Sequence, residues 1–218
     1  MQATTTASPG KRERTRTAIV NAAITLIAEK GLESSSIDDL MATAGMARGT
    51  FYNYFQCRDD VLHAVSREIQ QTLICEVVEF IPAELPAEHI VACMLFGYVQ
   101  FCHDARHIGA TLLRIGGFSP WVKADEEPHS GFARIDNALL QLCGDRVSFT
   151  SARIYMEGMS NNILCHLLAG RVAEDHVKEL LGLTLRGLGV GDKAINQAVS
   201  VASEFAGTIA THRPLQAL

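Results

Sequence analysis

The sequence lacks long apolar stretches. No run of about 18 apolar residues free of charge occurs, which argues against a membrane-spanning helix. The segment Met1–Gly10 is polar and has no apolar signal core, so a cytoplasmic, unexported protein is expected. Cysteine pairs at metal or redox spacing are missing too. The six cysteines, Cys57, Cys75, Cys93, Cys102, Cys143 and Cys165, are scattered, and none forms a C-x-x-C. In a reducing compartment such thiols behave mostly as small buried hydrophobes. G-x-S-x-G, H-E-x-x-H, a phosphate loop and a dinucleotide fingerprint are all absent, so no enzyme is expected. Strand-like alternation is hard to find.

Hydrophobic residues make up 48% of the 218 and charged residues 20%, enough apolar material for a buried core. The net charge of −5 argues weakly against a nucleic-acid partner when taken as a sum. The distribution matters more. Lys11, Arg12, Arg14 and Arg16 crowd the start against one acid, Glu13, and the acids dominate later. A local basic patch binds phosphate while the remainder stays acidic. This cluster suits either minor-groove entry or a solvated tail.

The helical period predicts an all-α chain. A polar tail, 1–10, is expected to be disordered. A first helix fits Arg14–Lys30, stopped by Gly31. Ser36, with Asp39 three residues on, opens a second helix that ends at Ala44–Gly45. Arg48–Phe55 reads as a short third helix. A long linking helix fits 59–80, and Pro82 and Pro86 mark the domain boundary. Further helices are expected near 87–105, 106–115, 130–143, 147–169, 174–188 and 192–211. A loop with Gly116, Gly117, Pro120 and Pro128 interrupts them. The expected division is a DNA-binding domain at 11–60 and a larger helical domain at 81–218.

Three short helices, the last two joined by a glycine-containing turn, form a helix-turn-helix. The third helix must present base-reading and phosphate-reading side chains. Arg48 suits guanine or a phosphate; the sequence leaves both open. Gly49 permits close backbone approach. Thr50, Tyr52 and Tyr54 carry hydroxyls for phosphate oxygens, and Asn53 suits adenine. Phe51 and Phe55, four apart, are expected to pin the helix to the core.

At Ala44-Gly45-Met46-Ala47-Arg48-Gly49-Thr50-Phe51-Tyr52-Asn53-Tyr54-Phe55, followed by Arg58-Asp59-Asp60-Val61-Leu62, the chain resembles the TetR family of bacterial transcriptional regulators. Ala22-Ala23, Ala28-Glu29-Lys30-Gly31 and Ser35-Ser36-Ile37 extend the likeness, which covers about residues 12–65. The resemblance implies a small DNA-binding domain leading into a larger helical domain that dimerises and holds an effector. It implies that Ser36 caps the second helix and touches phosphate. It implies that Thr50, Tyr52, Tyr54 and Arg58 touch the DNA backbone, and that Ala47, Arg48 and Asn53 face bases. Ala47 stands where serine is frequent, Cys57 where a serine or threonine cap is frequent, and Met41 where a small alanine is usual.

The larger domain is apolar and helical. Its suitable lining residues for a pocket are Met94, Phe96, Tyr98, Phe101, Trp121, Phe132, Met156, Met159 and Asn162. Each is also a common core residue. The pool suits a medium-sized hydrophobic or aromatic effector. The helices at 147–169, 174–188 and 192–211 are candidates for a dimer interface or for internal core. His103 and His107, with Cys102 beside them, are too few for a metal without a further ligand. Cys165 and His166 are adjacent on a helix and point about 100° apart, so they do not pair as nucleophile and base. The expected function is a homodimeric, ligand-released repressor on a palindromic operator, without a cofactor. The alternative is a helix-turn-helix regulator whose large domain binds a protein partner.

Overall fold

The structure is a computed structural model that describes residues 10–31, 35–115 and 130–212. The tail 1–9, the loop with Gly116, Gly117, Pro120 and Pro128, and Trp121 lie outside the described residues, as does the side chain of Phe132. The described residues form ten α-helices and one 3-10 turn, with no strand among them. These are α1 (Lys11–Lys30), α2 (Ile37–Thr43), α3 (Arg48–Phe51), α4 (Arg58–Glu76), α5 (Ala87–Asp104) and α6 (Arg106–Arg114). They continue with α7 (Ser130–Cys143), α8 (Phe149–Leu168), α9 (Glu174–Gly187) and α10 (Asp192–His212). The 3-10 turn, Val78–Phe80, follows α4.

α1 begins one turn before the expected Arg14. Its first turn, Lys11-Arg12-Glu13-Arg14, is polar and carries no apolar period, but lysine, arginine and glutamate are good helix formers. Ile19, Val20, Ala23, Ile24, Leu26 and Ile27 recur at helical spacing and are buried. α2 and α4 pack on this face, and α3 packs on α2. The expected 59–80 helix is shorter than its apolar pattern suggested. α4 stops at Glu76, and the chain tightens through the 3-10 turn before Pro82.

α5 is the centre of the remaining helices. Twelve of its residues are buried, so it is apolar nearly all round, as a helix enclosed by others must be. α6, α7, α8, α9 and α10 all pack against it. The closest approach is at Gly97. A Cβ there would lie 2.6 Å from Val77 Cγ1 and 3.2 Å from Phe205 Cε1, so only glycine admits the hinge after α4 and α10 together. The buried apolar side chains form one continuous cluster from α1 to α10.

Arginines fasten helix ends across elements. A helix C-terminus presents carbonyls without intrahelical partners and a partial negative charge. Arg114 Nη1 donates to the carbonyls of Ile27 (2.7 Å) and Ala28 at the end of α1. Arg106 Nη2 donates to Leu168 at the end of α8 at 2.8 Å. Arg134 Nη2 donates to Val78 (3.1 Å) and Ile81 (2.6 Å) around the 3-10 turn. Arg146 Nη2 donates to Leu142 near the end of its own preceding helix, α7, at 2.6 Å. No described helix is long and apolar enough to cross a membrane.

Candidate nucleic-acid interface

The turn between α2 and α3 is set by Gly45, at φ +68°. The N–H of Gly45 donates to Ala42 (3.0 Å) and that of Met46 to Met41 (2.8 Å). This doubled closure satisfies the last carbonyls of α2 and needs a left-handed residue, which glycine adopts without strain. The turn reverses the chain and places the start of α3 beside the start of α2.

α3 is shorter than the expected Arg48–Phe55. It covers Arg48–Phe51, and Tyr52–Tyr54 continue as a turn. Its N-cap, Ala47, offers no side-chain bond, and Gly49, Thr50 and the following aromatics and asparagine are modest or poor helix formers. Packing does the fixing instead. Phe51 and Phe55 are buried, with ring centroids 5.8 Å apart. Arg16 of α1 lies over the Phe55 ring, 5.2 Å from its centroid, a cation–π contact.

With Phe51 and Phe55 turned inward, the opposite face carries Ala47, Arg48, Gly49, Tyr52 and Asn53, all exposed. Thr50, Tyr54 and Arg58 are half-buried at its margin. A Cβ on Gly49 would meet nothing within 4 Å, so the backbone there is open to an approaching surface. Arg58 lines a narrow cleft with Ser35, Ser36 and Leu62, and its Nη2 has no hydrogen-bond partner among the described residues.

Ser36 caps α2 as the sequence led one to expect. Its Oγ accepts the Asp39 N–H (3.1 Å), and its own N–H donates to Asp39 Oδ2 (3.3 Å). The Ser36 hydroxyl also donates to Asp39 Oδ2 at 2.6 Å. These bonds, followed by the Lys30 ammonium at 3.6 Å, hold the Asp39 carboxyl below its ordinary range. Asp60 does the same for α4, accepting the N–H groups of Gln56 (2.9 Å) and Cys57 (3.4 Å), and its carboxyl is lowered chiefly by the Gln56 bond. The missing serine at position 57 is thus offset by the acid at position 60.

One contact was not read from the sequence. Arg48 Nη1 lies 2.6 Å from Asp38 Oδ2, an ion pair joining α3 to α2. The Tyr52 hydroxyl, first, and the Asp38 carboxylate raise the Arg48 guanidinium further above its ordinary value. The available signal was the doublet Asp38-Asp39, of which the cap uses only the second. Lys11, Arg12, Arg14 and Arg16 are exposed on the first turns of α1, so a helix carries the basic cluster.

In the remaining helices, Met94, Phe96, Tyr98 and Phe101 are buried on α5 and Met156 on α8. Met159 is half-buried and Asn162 exposed. The polar partner in that core is the neighbouring residue: the Tyr98 hydroxyl is 3.1 Å from Asn161 Oδ1. Two hollows walled by described residues are lined by other side chains, one by Glu76, Phe80, Pro82, Phe205, Thr208 and Ile209, the other by the α9–α10 surface around Leu183. Among the described residues no group of three His, Cys, Asp or Glu side chains is placed to hold a metal.

The model of the bacterial regulatory proteins of the tetR family matches residues 19–65. The uncharacterized HTH-type transcriptional regulator YvdT of Bacillus subtilis is 42% identical over 60 residues, 28% of this chain and 29% of YvdT. The HTH-type transcriptional repressor LfrR of Mycolicibacterium smegmatis is 38% identical over 60 residues, 28% of this chain and 31% of LfrR. The chain thus matches under a third of the length of either relative. Among solved structures, RolR in complex with resorcinol aligns at a TM-score of 0.58 and 21% identity, over 88% of this chain and 95% of RolR. CprB of Streptomyces coelicolor, in complex with its operator sequence, aligns at 0.60 and 18% identity, over 91% of this chain and all (100%) of CprB. At such identities these structures speak for the fold. Residues 19–65 thus match the tetR family of bacterial regulatory proteins, and the described helices beyond follow the fold of solved TetR-like regulators.

Proposed function

We propose that the chain is a DNA-binding transcriptional regulator, a homodimeric repressor that leaves its palindromic operator when a small effector binds. The observation that carries this is the outward row Ala47, Arg48, Gly49, Tyr52 and Asn53, set on a segment whose other face is locked into the α1–α4 core. A rigid, exposed, partly basic helix start of this kind is what a major groove accepts. In this reading Ser36, Thr50, Tyr52, Tyr54 and Arg58 touch phosphates and fix register. Ala47, Arg48 and Asn53 face bases. Two such units in a dimer enter successive major grooves about 34–36 Å apart. The operator complex of CprB and the likeness to the repressor LfrR support the same reading.

We place the division between DNA-reading and effector-binding parts at the hinge near residue 81, with 11–60 reading DNA and α4 linking. Ile154 on α8 and Leu183 on α9, both large apolar side chains exposed to solvent, support a dimer face on these helices. The effector site falls among the helices around α5, where Tyr98 and Asn161 supply a polar pair amid apolar side chains. RolR, with its bound resorcinol, is an example of an aromatic ligand on this fold. A ligand that binds the non-DNA conformation more tightly shifts the population and releases DNA. Work on DNA places the protein in the cytoplasm.

A gel-shift titration against the DNA upstream of its own gene tests the reading. Saturable, salt-sensitive binding to a palindrome there is expected. Binding that is equally weak on every duplex would sink the claim of a specific regulator.

A further inference from the structure

We propose that Asp38 is a specificity-determining positioning residue: by pairing with Arg48 it makes that guanidinium a reader of guanine and not a clamp on phosphate. This rests on the DNA-binding reading above and deepens it.

The two acids at the start of α2 do different work. Asp39 is consumed by the cap: its carboxylate accepts two bonds from Ser36, its N–H donates a third to Ser36 Oγ, and it stands near Lys30. Asp38 takes no part in the cap. It reaches ten residues along the chain to Arg48 Nη1 at 2.6 Å. Both side chains are about three-fifths exposed, 61% and 60%, so the pair stands on the outward face and not in the core. A core-building role would not place it there.

The pair changes what Arg48 can bind. One amino group, Nη1, is engaged by Asp38, which leaves the Nη2–Nε edge of the guanidinium. That edge presents two parallel N–H donors, the match for guanine O6 and N7. The α3 start has no side-chain cap to fix Arg48. Asp38 holds it in one orientation before any DNA arrives, so less freedom is lost on contact.

Charge then decides between base and phosphate. A phosphate oxygen is anionic and would have to share the guanidinium with a carboxylate already in place. The two anions repel, and the gain from releasing a counterion is already spent on Asp38. Guanine O6 and N7 are neutral acceptors and meet no such repulsion. Arg58 is the contrast. It forms no ion pair among the described residues, so no carboxylate competes with a phosphate for it.

The test uses the full chain and a pool of duplexes randomised over about two major-groove turns, followed by salt titrations on one selected and one scrambled duplex. The wild type is expected to select guanine at one position in each half-site. D38N is expected to lower that preference roughly tenfold. At the same time its affinity for the scrambled duplex should rise, and its salt dependence should steepen by about one ion per subunit as Arg48 turns to phosphate. R48A should lose the same preference, and adding D38N to R48A should change it no further. R48K, which keeps the charge and loses the fork, should lose the guanine preference while holding scrambled DNA, and it decides the matter if D38N fails to fold. D38N or R48K with an undiminished guanine preference overturns the proposal and leaves the regulator reading standing. A wild type that selects no sequence overturns both.

Discussion

The buried hydroxyl of Thr111 on α6 donates a 2.9 Å hydrogen bond to the carbonyl of Ile24 in the middle of α1. One turn further along α6, Arg114 grips Ile27 and Ala28. α6 thus holds the DNA-side helix by its backbone. Thr111→Val keeps the shape and removes the donor, and is expected to cost about 1 kcal/mol. Arg114→Ala should cost a similar amount by removing the bonds to Ile27 and Ala28 that tie α6 to the end of α1. Urea midpoints read both; midpoints equal to the wild type would show the joint to be idle.

Gly97→Ala is expected to destabilise by about 1–3 kcal/mol, because the added methyl meets Val77 and Phe205 inside a filled core. The thermal midpoint should fall. An alanine variant as stable as the wild type would mean that α10 can move off α5 at little cost.

Tyr52→Phe removes a hydroxyl from a side chain 55% exposed on the outward face. Affinity for specific and scrambled DNA should fall together by about 1 kcal/mol, with the salt dependence unchanged because no charge is lost. The same hydroxyl also acts on the Arg48 guanidinium, raising it. A shift in base preference in place of uniform weakening would assign Tyr52 to Arg48 and not to phosphate.

Asp136, half-buried on α7, has its carboxyl pushed up to about 6 by burial, against a smaller pull downward from Arg153. The folded value exceeds the unfolded one, so the folded chain binds the extra proton between them. Its contribution to stability is full below about pH 4 and is lost as the pH rises through about 6. Asp136→Asn should therefore stabilise the protein at pH 7.5 by about 1 kcal/mol, discounted for partial exposure, with the gain vanishing near pH 4. Paired melts at the two pH values check it; a gain independent of pH would locate its cause elsewhere.

Most helix limits were legible because they rest on local chemistry: the Ser36–Asp39 cap, glycine at position 31, the prolines at 82 and 86, and the apolar period of α5. The length of α3 was not. Gly49, Thr50 and the aromatics and asparagine after them are modest or poor helix formers, but low propensity alone marks no particular residue as the stop. α1 began early because its first turn is charged and has no apolar rhythm to count. Pairings across distance left no trace. Thr111 meets a backbone carbonyl, which has no residue identity to read, and Asp38 meets Arg48 only because the Gly45 turn folds α3 back on α2. Asn161 and Asn162 differ by one step round a helix, and packing alone decides which of them faces Tyr98.

The grips of Arg106, Arg114, Arg134 and Arg146 close on main-chain carbonyls and involve no carboxylate. The helix starts at α2 and α4 are held differently, by Asp39 and Asp60, whose carboxyls lie below their ordinary value. The support those two give is full above the ordinary value of 3.8 and goes as the pH falls through their lower folded values. Asp136 takes up its proton at higher pH, before they begin to fail. Protons therefore act with opposite sign on α7 and at the starts of α2 and α4. In strong acid the fastenings at the starts of α2 and α4 are the ones that weaken.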